Sequence, residues 1–277
     1  MADRRFRFGV VAASAPDGAS WLEGARRAER LGYSTLLVPD TLGSLAPFAA
    51  LTATATVTTT LRLGTYVLCD AYRPAAQVAH EASTLQLLSD GRFELGIGAG
   101  RPDAARDAQR LGVPFGSPGQ RITQLAQSLA AIRDLLAAAS PRPPILVAGS
   151  GPRLLQLAAA QADIVAVGVP PQATDADIAG KVAALREAAG ARFDDLELNL
   201  NLVAVGEQEL PPWLARRIGM TAGQLAAQGA SSVLTGTAEQ MADVLRRRRD
   251  QLGISYVCVG DMFAEQLAPV IERLAGT

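Results

Sequence analysis

The chain has 277 residues, of which 49% are hydrophobic and 19% are charged, so it holds enough apolar side chains for a large core. Its 26 basic and 27 acidic residues give a net charge of −1, which excludes a general attraction to nucleic acid or to an anionic membrane. One histidine and two distant cysteines, Cys69 and Cys258, provide no Cys/His zinc site, and we expect no metal.

The hydrophobic runs are too short for targeting or membrane insertion. The apolar run at residues 10–13 cannot form a signal-peptide core, and no stretch approaches the roughly 18 apolar residues of a membrane span. Two isolated cysteines are typical of a reducing compartment. We therefore expect a cytoplasmic protein. The basic run at residues 246–249 has apolar neighbours at helical spacing, and we interpret it as the solvated face of a helix.

Short β-branched or aromatic segments alternate with helical patterns along almost the whole chain. Strands are predicted over residues 6–11, 35–38, 61–68, 92–97, 145–147, 164–167, 196–203 and 256–259. Helices are predicted over residues 20–31, 47–58, 74–88, 120–138, 152–161, 175–189, 212–228, 237–252 and 264–274. This alternation favours a single α/β domain, residues 1–277, folded as a (β/α)8 TIM barrel. An open doubly wound sheet would alternate in the same way and stays the alternative.

Glycine-rich turns follow two of the predicted strands, at the end of a barrel where sites are built. They are Gly98-Ala99-Gly100-Arg101 and Ala148-Gly149-Ser150-Gly151. Glycines there let backbone N–H groups approach a ligand closely, although they could equally serve only to ease tight turns. The strand ends otherwise carry a few carboxylates and no histidine or lysine. Such a set suits binding of a large planar or phosphorylated molecule better than unaided acid–base chemistry.

One charged pair has a structural interpretation. Glu94 alternates with apolar neighbours inside its predicted strand, and Arg62 lies on the neighbouring strand. An unpaired charge inside a barrel is costly. We therefore predict that Glu94 and Arg62 form an ion pair there.

Several segments share a family pattern, in the same order along nearly the whole chain. They are residues 25–33, 38–40, 61–68, 81–85, 91–100, 110–115, 143–153 and 252–257. On these segments the chain resembles the luciferase-like monooxygenase superfamily, in particular its branch that depends on the deazaflavin coenzyme F420. The resemblance implies a TIM barrel, a small-molecule substrate and a homodimer.

The resemblance also implies site residues. The cofactor ring would lie against a non-proline cis peptide bond within Thr65-Tyr66-Val67, at the end of the third strand. The two glycine-rich turns would donate backbone hydrogen bonds to the cofactor. Asp40 would contact the cofactor and flank the catalytic position, which here is Thr41.

The chain departs from the family pattern at three places. Thr41 stands where relatives often carry an acid–base histidine, so a proton would have to pass through Asp40, Asp70 or the substrate. Residues 167–170 lack the hydroxyl and lysine that some relatives use for the cofactor phosphate, and Arg101 or Arg153 could replace them. The segment before the fifth strand is shortened to residues 136–143, which predicts an open mouth on that side.

Three functions follow from these observations. The first is an F420-dependent oxidoreductase that transfers hydride between the deazaflavin and a small organic substrate, such as a natural-product intermediate. The second is an FMN-dependent monooxygenase. The third is a barrel without a redox cofactor that acts as a binding protein or a non-redox catalyst. The glycine turns and Asp40 favour a cofactor, whereas the departures from the pattern favour the third function.

Overall fold

The computed structural model describes residues 4–277. Its strands are β1 (Arg7–Val11), β2 (Thr35–Val38), β3 (Arg62–Thr65), β4 (Leu68–Cys69), β5 (Phe93–Gly98), β6 (Ile145–Gly149), β7 (Ile164–Val167), β8 (Glu197–Leu202), β9 (Ala204–Val205), β10 (Val233–Leu234) and β11 (Ile254–Gly260). Its α-helices are α1 (Gly18–Arg30), α2 (Pro47–Ala55), α3 (Ala75–Leu88), α4 (Ala104–Leu111), α5 (Pro118–Leu135), α6 (Pro152–Gln161), α7 (Asp175–Ala189), α8 (Pro212–Ile218), α9 (Ala222–Ala227), α10 (Ala238–Leu252) and α11 (Ala264–Leu274).

The main sheet closes into a barrel of parallel strands. Its order is β3-β2-β1-β11-β8-β7-β6-β5-β4, and β3 also pairs with β5, which closes the ring. Because β3 and β4 are two parts of one strand position, the barrel has eight positions. This closure confirms the (β/α)8 TIM barrel, since an open sheet would leave two edges unpaired. The short strands β9 and β10 form a separate pair after β8.

Apolar side chains inside the barrel form a small core of their own. It contains Leu37, Leu146, Ile164, Ala166, Tyr256 and Cys258. Glycines on the inner face make space for these larger side chains. A Cβ at Gly64 would lie 2.6 Å from Leu37 Cδ2, so Leu37 occupies the volume that a side chain there would need. The larger core lies between the strands and the surrounding helices.

A buried charged cluster closes the N-terminal end of the barrel. Glu94 pairs with Arg62, as predicted, and its Oε1 also lies 2.5 Å from Arg7 Nη1. Arg7 in turn contacts Glu197, with 2.9 Å between Nε and Oε1. Burial acts to raise the pKa of Glu94, but the two arginines outweigh it and lower that pKa. Burial raises the pKa of Glu197, with a further contribution from the charge of Glu94.

The element boundaries differ from prediction in several places. The helix predicted over residues 120–138 ends at Leu135, and the helix predicted over residues 47–58 ends at Ala55. The helix predicted over residues 212–228 is two helices, because Gly219 adopts a left-handed φ of 77° that ends α8. Thr221 then caps α9, accepting a hydrogen bond from the backbone N–H of Gln224. Helix α4 lies in a stretch for which the sequence predicts no helix.

The interpretation of the basic run at residues 246–249 is wrong for one residue. Arg248 lies on α10 but is only 5% exposed, and its Nε lies 2.9 Å from Asp175 Oδ1. Arg246 does lie on the exposed side, paired with Asp243 and Glu239. Across residues 4–277, no helix has both the length and the hydropathy needed to cross a bilayer.

Candidate active site

All the site residues predicted from the sequence lie at the C-terminal mouth of the barrel. Asp40 and Thr41 follow β2, and Thr65, Tyr66 and Val67 join β3 to β4. The two glycine-rich turns lie at the ends of β5 and β6. Because the strands are parallel neighbours, these segments form a continuous arc around half of the mouth. Their roles in binding and catalysis stay predictions.

The third barrel strand carries a β-bulge at this mouth. Gly64 pairs with Glu94, and Leu68 pairs with Ile97. The third strand therefore has one more residue between these two pairs than β5 has, which is a β-bulge. The Thr65 hydroxyl fills the gap, donating to Gly96 O (2.7 Å) and accepting from Gly96 N (2.8 Å). The peptide bond between Tyr66 and Val67 is cis, which confirms the position that the family resemblance implies.

The bulge turns Tyr66 into the barrel, where it forms part of an uncharged floor. Its hydroxyl donates to Asn199 Oδ1 (2.6 Å), and Asn199 Nδ2 lies 2.9 Å from Cys258 Sγ. Burial raises the pKa of Cys258 to about 12, so the thiol is neutral near pH 7. Alternation along the strands brings mostly small side chains to the layer above. That layer is Val11, Gly98, Ala148, Gly168, Asn201 and Gly260.

Asp40 is tied into the scaffold through both carboxylate oxygens. Its Oδ2 accepts from Arg73 Nη1 (2.7 Å) and from the backbone N–H of Cys69 (3.0 Å), and its Oδ1 accepts from Arg73 Nη2 (3.0 Å). The Asp40 side chain is 6% exposed. This arrangement joins the end of β2 to β4. Thr41 is exposed, and its hydroxyl lies 3.3 Å from that of Ser44.

The glycines of the first turn have packing reasons. A Cβ at Gly98 would lie 3.1 Å from Val67 Cγ2. Gly100 has a left-handed φ of +78°, and a Cβ there would lie 2.7 Å from Cys69 Sγ. A side chain at either position would therefore disturb the contact between β5 and the bulged strand. Burial raises the pKa of Cys69 to about 11, which keeps that thiol neutral as well.

The second turn is more open. A Cβ at Gly149 would collide with Leu154 of α6, which explains that glycine by packing alone. A Cβ at Gly151, in contrast, would meet no neighbouring atom within 4 Å. Gly151 is exposed and stands directly before Pro152, the first residue of α6. The N-terminus of a helix attracts anions through its backbone N–H groups and dipole.

Cations surround both turns. Arg121 Nε donates to Ala99 O (2.9 Å). Lys181 Nζ donates to Ser150 O (3.0 Å). Arg153 is exposed on the first turn of α6. Sequence analysis identified Arg153 but missed Arg121 and Lys181, because both lie on helices remote in sequence from the turns that they contact.

Two helices reach the rim of the mouth. The Asp107 carboxylate on α4 accepts from the backbone N–H of Leu42, in the loop after β2 (3.0 Å). Asp103, just before α4, contacts Arg217 of α8 at 3.1 Å and Arg101 at 3.7 Å. Arg217 follows β8 whereas Asp103 follows β5, so this ion pair spans strand positions that are not adjacent. The structure thus places α4 and α8 at the rim of the mouth, where the predicted open mouth has no helix.

The chemistry available at this mouth is that of binding and orientation. Its floor is neutral, the Asp40 carboxylate is paired with Arg73, and its cations lie along one arc. Asp70 after β4 and Asp261 after β11 are further carboxyl groups at this end, and burial raises the pKa of each. Within residues 4–277, no group of three or more His, Cys, Asp or Glu side chains could hold a metal ion. The arrangement suits a planar ring with an anionic side arm, which would supply reactivity that the side chains lack.

Comparison with known proteins gives a consistent result. A family model described as luciferase-like monooxygenase matches residues 6–209. An uncharacterised protein of Mycobacterium tuberculosis (strain ATCC 25618 / H37Rv) is 28% identical over 207 residues, 60% of this chain and 71% of that protein. An F420-dependent glucose-6-phosphate dehydrogenase of Amycolatopsis mediterranei (strain U-32) is 32% identical over 123 residues, 41% of this chain and 36% of that protein.

Solved structures share the fold. The coenzyme F420-dependent tetrahydromethanopterin reductase from Methanopyrus kandleri matches with a TM-score of 0.77 and 16% identity, over 98% of this chain and all (100%) of that chain. A riboflavin lyase with modified FMN and riboflavin matches with a TM-score of 0.75 and 15% identity, over 98% of this chain and 92% of that chain. At these identities the likeness establishes the fold alone.

Proposed function

Because the chain belongs to the luciferase-like monooxygenase family, we propose that it is an oxidoreductase that binds coenzyme F420 at the C-terminal mouth of its barrel. Its reaction is hydride transfer between the deazaflavin and an organic substrate. The observation that carries this proposal is the combination of a neutral floor of small side chains with an arc of cations along the β5 and β6 turns. The partial matches to F420-dependent relatives support the same choice.

The floor fits a flat heterocycle. The inner layer offers glycine, alanine and valine positions, so a planar ring can lie close to the strand ends without displacing a large side chain. The Tyr66 hydroxyl donates a hydrogen bond to the Asn199 amide oxygen below this layer, so both uncharged polar groups of the floor have partners. When bound, F420 supplies the two-electron hydride chemistry that no side chain of the mouth can perform.

The cation arc fits the anionic arm of the cofactor. Lys181, Arg153 and the N-terminus of α6 lie next to the turn at Gly151, where open space is available. Lys181 Nζ donates to Ser150 O, and Arg153 Nη2 lies 3.4 Å from Thr123 Oγ1 of α5. In our proposal they hold the cofactor phosphate, in place of the hydroxyl and lysine that the sequence lacks at residues 167–170. Arg121 supports the neighbouring turn through Ala99 O.

Asp40 has a positioning role in this proposal. Its ion pair with Arg73 and its bond to Cys69 N hold the bulged third strand against β2. A carboxylate that accepts a proton would lose this ion pair. A proton required at the mouth would therefore come from Asp70, the substrate or solvent rather than from Asp40, and Thr41 contributes a rim hydroxyl.

A binding experiment with matched variants tests the site. Arg153→Ala should raise the Kd for F420 by about tenfold, in line with a charge-assisted hydrogen bond of about 1.5 kcal/mol. Arg26→Ala, which removes an exposed arginine of α1, should leave the Kd unchanged. Equal Kd values for both variants and the wild type would remove the phosphate site from this turn. A lower Kd for FMN than for F420 would favour a flavin enzyme instead.

A homodimer, implied by the family resemblance, is a further part of the proposal. Exposed leucines on α3 and α5, Leu87, Leu88 and Leu135, are apolar surface that a second copy could cover. Sedimentation velocity of the purified chain tests this. A single monomeric species at tens of micromolar would contradict it.

A further inference from the structure

The large apolar side chains that remain exposed fall into two groups at opposite ends of the barrel. Among the described residues, Leu87, Leu88 and Leu135 lie at the C-terminal ends of outer helices, away from the mouth. The other four are on segments of the rim. They are Leu42 and Leu45 in the loop after β2, Leu111 on α4 and Trp213 on α8. The rim therefore exposes apolar side chains to solvent, and the proposed cofactor site does not use them.

The three rim segments are connected to one another. Asp107 of α4 accepts from Leu42 N, and Asp103 at the start of α4 pairs with Arg217 of α8. These contacts join α8 through α4 to the loop after β2. The four apolar side chains thus lie on rim segments that are linked by polar contacts, and Trp213 is the aromatic one of the four.

Trp213 shares a face of α8 with Arg217, because residues four apart lie one above the other on a helix. Arg217 points toward Asp103, on the β5 side of the mouth. The opposite face of α8, with Leu214, Ala215 and Ile218, packs against the core. Trp213, which is 51% exposed, therefore lies on the same side of α8 as Arg217, the side that contacts Asp103 of the rim.

We propose that Trp213 is a specificity-determining residue that stacks against a planar aromatic part of the substrate. This inference rests on the proposed function, since it places the substrate above a cofactor at the same mouth. An indole offers a large flat apolar surface, and stacked aromatic pairs contribute beyond the area that they bury. The exposed ion pair between Arg217 and Asp103 connects α8 to the segment before α4 at the rim. The substrate class is a polycyclic or otherwise extended aromatic compound rather than an aliphatic one.

Isothermal titration calorimetry with two probes of equal charge tests the proposal. Anthraquinone-2-sulfonate is planar and aromatic, and decane-1-sulfonate is aliphatic. The wild type should bind the anthraquinone more tightly than the alkane. Trp213→Ala should weaken anthraquinone binding by about tenfold, whereas Trp213→Phe should stay within about threefold of the wild type. Arg26→Ala, which removes an exposed side chain of α1, should have no effect.

Several results would overturn the proposal. They are equal binding of the two probes, absence of anthraquinone binding, or unchanged binding in Trp213→Ala. A shift of Trp213→Ala from dimer to monomer in sedimentation velocity would also overturn it, since Trp213 would then be an interface residue. F420 titration of the same variant, followed by cofactor fluorescence, should give the wild-type Kd. If the wild type binds anthraquinone but not F420, the proposed function fails and the stacking site does not.

Discussion

Replacing Glu94 by glutamine tests the charged cluster that closes the N-terminal end of the barrel. Glu94 is 2% exposed and pairs with two arginines, Arg7 and Arg62. After the substitution Arg7 keeps Glu197, but Arg62 loses its partner. Breaking a buried ion pair costs about 3–5 kcal/mol. Because 31% of the Arg62 side chain reaches solvent, we expect a loss of about 3 kcal/mol in the free energy of unfolding.

Urea denaturation with linear extrapolation measures this loss, and Glu197→Gln is the matched control. Glu197→Gln leaves Arg7 paired with Glu94, so no arginine loses its only partner. We therefore expect this replacement to cost less than Glu94→Gln. If Glu94→Gln costs no more than Glu197→Gln, the cluster does not depend on the charge of Glu94 and the reasoning fails.

The pH dependence of stability gives a second readout of the same cluster. The folded-state pKa of Glu94 is lowered despite burial, because Arg7 and Arg62 stabilise the carboxylate. Its contribution is therefore present above the unfolded pKa of about 4.3 and is lost as the pH falls through the folded value. Glu94→Gln should flatten this acid limb of the stability curve. An unchanged acid limb would show that other carboxylates cause it.

Three further substitutions probe the mouth. Asp40→Asn should lower the free energy of unfolding by about 2 kcal/mol, because it breaks the ion pair with Arg73. The folded variant should lose less than tenfold in turnover. A loss of about 10²-fold at unchanged stability would assign Asp40 to acid–base catalysis. Gly96→Ala should cost at least about 3 kcal/mol or prevent folding, because its Cβ would lie 2.0 Å from Thr65 O. Gly151→Ala should keep wild-type stability by thermal denaturation but raise the Kd for F420, and an unchanged Kd would exclude this glycine from the site.

The barrel could be predicted because its signal is local and repeated. Each strand and helix shows its own periodicity, and eight alternations favour the barrel over an open sheet, which the pairing of β3 with β5 then excludes. The pairing of Glu94 with Arg62 followed from alternation on adjacent strands. Arg7 and Glu197 were missed, since strands that are distant in the chain meet only when the barrel closes.

The site could be predicted only as positions along the chain. Resemblance located the cis peptide bond at Tyr66–Val67, and strand ends located the two glycine-rich turns. No sequence pattern indicated that Arg73 would form an ion pair with Asp40 or that Asn199 would accept a hydrogen bond from Tyr66. Both contacts depend on the directions of side chains from different strands and loops. The helix α4 has only eight residues and one buried residue, Ala108, so its apolar face is too short to distinguish it from a loop.

Equilibrium titration of the purified chain with F420 and with FMN tests the central claim most directly. Both cofactors are fluorescent, so one instrument and one protein preparation serve for the comparison. Our account predicts a Kd for F420 of about 1 μM or lower, equivalent to about 8 kcal/mol of binding free energy, and a Kd for FMN at least about tenfold higher. Binding of neither cofactor at tens of micromolar, or tighter binding of FMN, would contradict it.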